Sequence, residues 1–155
     1  MASKPAACAY HSKFLFEVQI PGLGSASFKK ASELTMQVET EENREAGALL
    51  ADKYPGTGST EPLTLERGVT SDLGLIDWFK TIADFATGKG ADACDDFKKT
   101  IVLIQKNRKQ EEIRRYTIYG AWPSKITHGE WDNESTEKVV EKIEIVFDHY
   151  TVENK

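Results

Sequence analysis

In a chain whose apolar residues otherwise alternate or cluster in short runs, Leu75, Trp78, Phe79, Ile82, Phe85 and Ala86 recur at i, i+3, i+4, i+7, i+10 and i+11. That spacing puts all six on one stripe of an α-helix, wide enough to face a core. Thr70 or Ser71 can accept a hydrogen bond from the first free N–H groups, Asp72 suits the positive first turn, and Gly88 can close the last turn. The pattern therefore predicts one helix over residues 71–87. Each large side chain buried in this way stabilises the fold by about 1.5–3 kcal/mol, so Leu75, Trp78, Phe79, Ile82 and Phe85 are expected in the core.

Around this helix the chain reads as strands. Phe14, Phe16, Val18 and Ile20 alternate with polar neighbours until Pro21-Gly22-Leu23-Gly24 stops the run. Leu34, Met36 and Val38 alternate with Thr35, Gln37 and Glu39, which predicts a second strand with one apolar and one polar face. Leu63, Leu65 and Val69 alternate with Thr64 and Glu66. Ile101-Val-Leu-Ile104 is short enough for a strand covered on both faces. Tyr116-Thr-Ile-Tyr119 reads as the return of a hairpin that Pro123 closes, and Val139 to Tyr150 as the last strand. Gly120 and Gly129 are expected bends. Residues 46–62 hold Gly47, Pro55, Gly56, Gly58 and Pro62 without a period; they are expected to form a long loop, of a length uncommon without a function. The expected architecture is mainly β, an α+β arrangement in which a β-sandwich or partly closed barrel of about six strands carries one flanking helix.

At 155 residues the chain suits one domain: a flexible arm over residues 1–12 and a single domain over 13–155. No apolar run approaches the roughly 18 residues of a membrane helix, so no membrane binding by the subunit is expected. The first residues lack the apolar block of a signal peptide, which predicts synthesis in the cytoplasm. Cys8 and Cys94 stand far apart outside any metal-binding spacing, arguing against a disulfide framework or a zinc site. A net charge of −5 does not favour nucleic acid.

Chemistry-bearing motifs are missing. Gly56-Thr-Gly-Ser-Thr60 lacks the lysine and spacing of a phosphate loop. His11, His128 and His149 have no partner at metal-ligand or acid–base spacing, and no nucleophile elbow occurs. The basic run from Lys98 to Arg115 is interrupted by Glu111 and Glu112 and reads as a solvated hairpin. Neither catalytic residues nor cofactor or metal ligands are expected.

Five motifs in order carry a resemblance: Glu42-Asn-Arg-Glu-Ala-Gly47, Pro55-Gly56, Leu63-Thr-Leu-Glu-Arg-Gly68, Leu75 with Trp78-Phe79, and Ala121-Trp-Pro-Ser-Lys125 ahead of a closing strand rich in Ile and Glu. Together, from Phe14 to Tyr150, the chain resembles the tail tube proteins of contractile-tailed bacteriophages and related extracellular contractile injection systems. The resemblance implies six subunits per ring and rings stacked into a hollow inner tube inside a contractile sheath, without catalysis. The implied partners are further copies of the chain, the sheath, baseplate or spike hub proteins, tube-terminating proteins, and DNA or protein cargo in transit. It implies a place in a virion or in another contractile particle.

On that basis Thr35, Gln37, Glu39, Glu41, Thr64 and Glu66 are expected to line the channel, a small and acidic wall that repels phosphates and acidic cargo. Arg44, Glu45, Leu49, Leu50, Tyr54 and Pro55 are expected at the stacking contact between rings, as the resemblance places that loop. Two other readings are a secreted hexameric ring of the type VI secretion kind and a small-molecule-binding β-barrel with Trp78, Trp122 and Trp131 around a cavity.

Overall fold

The longest element, strand β8 (Glu112–His128), belongs to two halves of one sheet. The computed structural model describes residues 15–22, 24–26, 28–69, 73–83 and 97–155. Before β8 come β1 (Phe16–Ile20), β2 (Gly24–Ala26), β3 (Lys30–Ala31), β4 (Met36–Asn43), β5 (Asp52–Thr60), β6 (Leu63–Gly68), α1 (Gly74–Ala83) and β7 (Lys99–Lys106); after it come β9 (Val140–Val146) and β10 (His149–Asn154). The sheet runs β2-β1-β7-β8-β9-β6-β3, with β10 also paired to β8, and all pairings are antiparallel. Its first half pairs β8 through Arg114–Tyr119 with β10, and its second half pairs β8 through Trp122–His128 with β9.

Gly120 lies at the change of half with φ +67°. A Cβ there would collide with the Asp148 carboxylate, so glycine is required both for the backbone conformation and for the close approach. Both expected bends are found, since Gly129 has φ +73° just after β8. The sheet thus folds over itself without closing: β2 and β3 end the order and do not pair with each other. It is an open sandwich, not a barrel.

The core fills the fold. Val18 and Ile20 of β1, Ile101 and Leu103 of β7, and Ile118 of β8 face Leu63 and Leu65 of β6 and Ile143 and Ile145 of β9, and Leu75 and Trp78 of α1 join them. Trp78 is 4% exposed and its indole N–H donates to the Phe97 carbonyl at 2.8 Å, which satisfies the one polar group of a buried ring. Phe79 and Ile82 are only half-buried at the edge of the stripe. Phe85, the capping residues Thr70 to Asp72, Gly88 and the 1–12 arm lie outside the described residues, as does the end of the helix expected at 87; α1 begins at Gly74 instead of 71.

Five expectations change. Residues 52–60 are strand β5 instead of loop, so β4 and β5 form a two-stranded hairpin around a turn at 44–51. Pro55 and the glycines are tolerated because β5 pairs on one side only, and Pro55 sits where the register shifts between Val38 and Thr40. Met36 and Val38, expected to be buried, are 50% and 55% exposed because the hairpin extends beyond the core. Pro123 does not close β8: it is fully buried, and a bulge between Pro123 and Lys125 absorbs it while pairing continues to His128. The last segment is two strands, broken at Phe147 and Asp148, where β10 leaves β9's half to pair with β8. Val69, expected on the buried face of β6, is 52% exposed.

Candidate assembly surfaces

The β4–β5 hairpin is the most exposed regular element of the described residues. Every residue of β4 is exposed, as are all of β5 except Gly56 and Thr60. Alternation within the ladder gives it two faces. Met36 and Val38 oppose Thr60 and Gly58 on one, whereas Gln37 and Glu41 oppose Ser59 and Tyr54 on the other, with Glu39 between them. Gln37 Nε2 donates to Ser59 Oγ at 3.3 Å, and Glu42 and Lys53 form an exposed ion pair at 4.0 Å. A two-stranded hairpin is marginal alone in water. Its base is tied to the body where Thr60 Oγ1 donates to the Phe147 carbonyl at 2.8 Å and Glu61 N–H to the Thr35 carbonyl at 3.2 Å.

Of the predicted stacking residues, Arg44, Glu45, Leu49 and Leu50 lie in the turn and Tyr54 and Pro55 in β5; all are exposed. Leu49 and Leu50 are 96% and 85% exposed. Two adjacent, almost fully exposed leucines share this projection with the exposed Met36, Val38 and Tyr54, an apolar patch of the kind found at interaction surfaces.

The predicted channel-lining residues do not form one uniform wall. Thr35, Gln37, Glu39 and Glu41 are in or next to β4. Thr64 and Glu66 are half-buried in β6, and Glu66 is paired with Lys142 at 3.1 Å, so its charge is offset. Thr35 and Thr64 meet at an open groove beside β3 that also takes in Lys30, Ser32 and Glu61.

At the other end of β6 lies a second, more apolar groove formed by Gly68, Val69, His128, Trp131, Lys138 and Val139. Trp131 is 74% exposed, and its ring leans on Gly129, where a Cβ would stand 2.7 Å from it. Near it, Arg67 donates to Glu141 between β6 and β9, and His128 Nδ1 stands 3.6 Å from the other Glu141 oxygen. Period-two reading of apolar residues passes over this pair, because Arg67 and Glu141 take inward positions while being charged. A cation and a carboxylate at inward positions of neighbouring strands are the signal that could have found it.

Three cations of the basic run from Lys98 to Arg115 are paired locally. Lys106 pairs with Glu17, Lys98 with Asp148 at 3.5 Å, and Arg115 with Glu112 at 2.6 Å. Hydrogen bonds from Arg115 hold the Glu112 carboxyl below its ordinary value. The three tryptophans do not share a cavity: Trp78 is in the core, Trp122 packs edge-on to Phe97 at 6.0 Å, and Trp131 is at the apolar groove. Among the described residues no cluster of His, Cys, Asp or Glu is arranged to hold a metal, and no helix is long and apolar enough to cross a membrane.

The same fold recurs in solved assemblies. A chain of the extracellular contractile injection system PVC sheath-tube complex in the extended state superposes with a TM-score of 0.82 at 23% identity, covering 100% of this chain and 99% of that one. A chain from the anti-feeding prophage cap, described as the AFP tube terminating cap, gives 0.81 at 23% identity over 100% of both chains. Hcp1 from Flavobacterium johnsoniae gives 0.60 at 14% identity, covering 92% of this chain and 97% of its own. At these identities the likeness concerns the fold. No curated protein sequence matches the chain. A family described as T4-like virus tail tube protein gp19 matches residues 12–151, a span that takes in the open sandwich, the exposed hairpin and the helix together; the chain belongs to this tail tube protein family.

Proposed function

We propose that the protein builds the hollow inner tube of a contractile phage tail or contractile injection system, by forming rings that stack head-to-tail. The observation that carries this reading is the family match together with a hairpin exposed on both faces, a feature that suits a subunit completed by its neighbours. Among the described residues β2 and β3 each pair on one side only, which supports ring closure, since exposed strand edges need partners. Six subunits per ring is the number the family resemblance implies. The higher TM-score with the sheath-tube chain than with Hcp1 favours a tube over a secreted ring. The family match beginning at residue 12 supports a single tube-protein domain over 13–155 after a short arm.

The role is architectural: the subunit catalyses nothing and needs no cofactor. Relatives of this fold come from a sheath-tube complex, a tube-terminating cap and a baseplate, which supports the sheath, a terminator and baseplate proteins as partners. DNA or protein cargo passes through the lumen. The turn at 44–51 acts in stacking, with Arg44, Glu45, Leu49 and Leu50 at the contact and Tyr54 and Pro55 supporting it; Gln37, Glu39 and Glu41 belong to the channel wall with Thr35, Thr64 and Glu66. The subunit is made in the cytoplasm and ends in an assembled particle.

Negative-stain electron microscopy of the purified protein tests this, the expected result being rings and tubes with a continuous lumen. A strictly monomeric sedimentation profile at high protein concentration, in both low and high salt, overturns it.

A further inference from the structure

We propose that the groove of Val69, Trp131 and Val139 is the receptor for the Leu49–Leu50 tip of the hairpin of a second copy of this chain, one ring further along the tube. The inference rests on the tube reading and names the acceptor side of its stacking contact.

The hairpin continues the edge of the body. Lys30 of β3 faces Glu66 of β6, and six residues further along both chains Met36 of β4 faces Thr60 of β5. Between them Ser32 N–H donates to the Thr64 carbonyl at 2.8 Å and Glu61 N–H to the Thr35 carbonyl at 3.2 Å. No residue is gained or lost between body and projection. The tip therefore leaves from the Leu63 end of β6, while the groove lies at the Gly68 end. Asp52 and Gly68 stand at opposite ends of the run formed by β5 and β6, so the tip of one subunit does not fill the groove of the same subunit. A translated copy brings the two together. Two different surfaces at opposite ends of one subunit are what a head-to-tail contact requires, and such a contact propagates instead of closing.

The surfaces are complementary. Leu49 and Leu50 are the most exposed large apolar residues described, and Val69 and Trp131 in the groove are 52% and 74% exposed. The Trp131 ring backs onto Gly129, a glycine at φ +73° where any side chain would displace it, so the apolar platform has a fixed support. Residues 130–137 beside the groove carry Glu130, Asp132, Glu134 and Glu137, all exposed, with no cation among them. At the tip Arg44 is the cation available to these carboxylates, since Lys53 pairs with Glu42, and Lys138 in the groove lining is the cation available to Glu45; the two pairs around an apolar centre would set register.

Paired cysteines test the proposal. Leu50→Cys and Val69→Cys are combined in a Cys8→Ser/Cys94→Ser background, and assembled tubes are oxidised and run under denaturing, non-reducing conditions. The expected result is a ladder of dimers, trimers and longer species, absent with either cysteine alone and absent from dispersed subunits. In parallel, Val69→Asp/Trp131→Glu is expected to leave folded rings while tubes are lost, and Leu49→Asp/Leu50→Asp to do the same from the other side. Tubes that form normally but give no ladder, or that persist in both double variants, overturn the receptor assignment and leave the tube reading intact. A parent protein that never forms tubes removes the tube reading, and this inference with it.

Discussion

Arg67 and Glu141 are register partners on β6 and β9, and the Arg67 Nε–H donates to Glu141 Oε1 at 2.5 Å with 5% and 6% of the two side chains exposed. Two charges so far from water are tolerable only as a pair. Glu141→Ala removes the carboxylate that accepts from the buried guanidinium, and is expected to cost about 3–5 kcal/mol. Replacing both by apolar residues, Arg67→Met/Glu141→Leu, is expected to recover most of that loss. Urea denaturation of the dispersed subunit measures it, and equal midpoints for Glu141→Ala and the parent would contradict the assignment.

Gly120→Ala is expected to destabilise by about 1–3 kcal/mol, because φ +67° is strained for alanine and the new methyl meets Asp148. The two causes separate in a second variant. Asp148→Ala in the same chain relieves the collision and leaves the backbone strain, so a partial recovery of melting temperature is expected. Full stability of Gly120→Ala alone would show that β8 can bend without glycine.

Trp78→Ala removes a nearly buried ring from the core, along with its hydrogen bond to the Phe97 carbonyl and its contact with Lys99 Nζ, 5.4 Å from the ring centroid. A loss of about 3–5 kcal/mol is expected. An unchanged melting temperature would mean that α1 presents this face to a partner such as the sheath.

Glu112 sets a pH dependence. Hydrogen bonds from Arg115 lower its pKa from the ordinary 4.5, against a smaller opposing effect of burial and with help from the charges of Arg115, Lys155 and Lys106. A depressed carboxyl contributes stability above its unfolded pKa and loses it as pH falls through the folded one. Solvent screens this surface pair, so the effect is small. Glu112→Gln is expected to be slightly less stable than the parent near neutral pH and to converge with it in acid. A constant gap from about pH 7 to about pH 3 would rule the linkage out.

Single cysteines at Gln37 and Thr64, in a chain with Cys8 and Cys94 replaced by serine, report on the channel wall. In assembled tubes both are expected to react slowly with a thiol reagent too bulky to enter, and quickly once the tubes are dispersed. Fast labelling of intact tubes at Gln37 would place this face of the hairpin on the outside.

The helix and the half-buried strands were readable because each imposes one period on its apolar residues, as Leu75 with Trp78 and Leu63 with Leu65 show. Strand β5 was not. Pro55, Gly56 and Gly58 lower strand propensity, and what makes 52–60 extended is pairing with β4, which no local pattern announces. Met36 and Val38 misled for a related reason: alternation reports that a strand has an apolar face, not that the face is covered within one subunit. Pro123 stops a regular ladder but not one with a bulge beside it. Arg67 and Glu141 are 74 residues apart and meet only through the order of β6 and β9. At the assembly surfaces, the residues of the projecting turn were legible as an apolar centre among charges. The Trp131 groove was not, since it joins the ends of three strands.

The matched register of β3–β6 and the base of β4–β5 also limits how this projection can vary in length. Adding one residue to either arm would exchange its acidic face for the Met36–Val38 face. Two residues added to both arms would lengthen it by about 7 Å and leave each face where it was. Related tubes with different reach between rings are therefore expected to differ by matched, even-numbered insertions on either side of the turn.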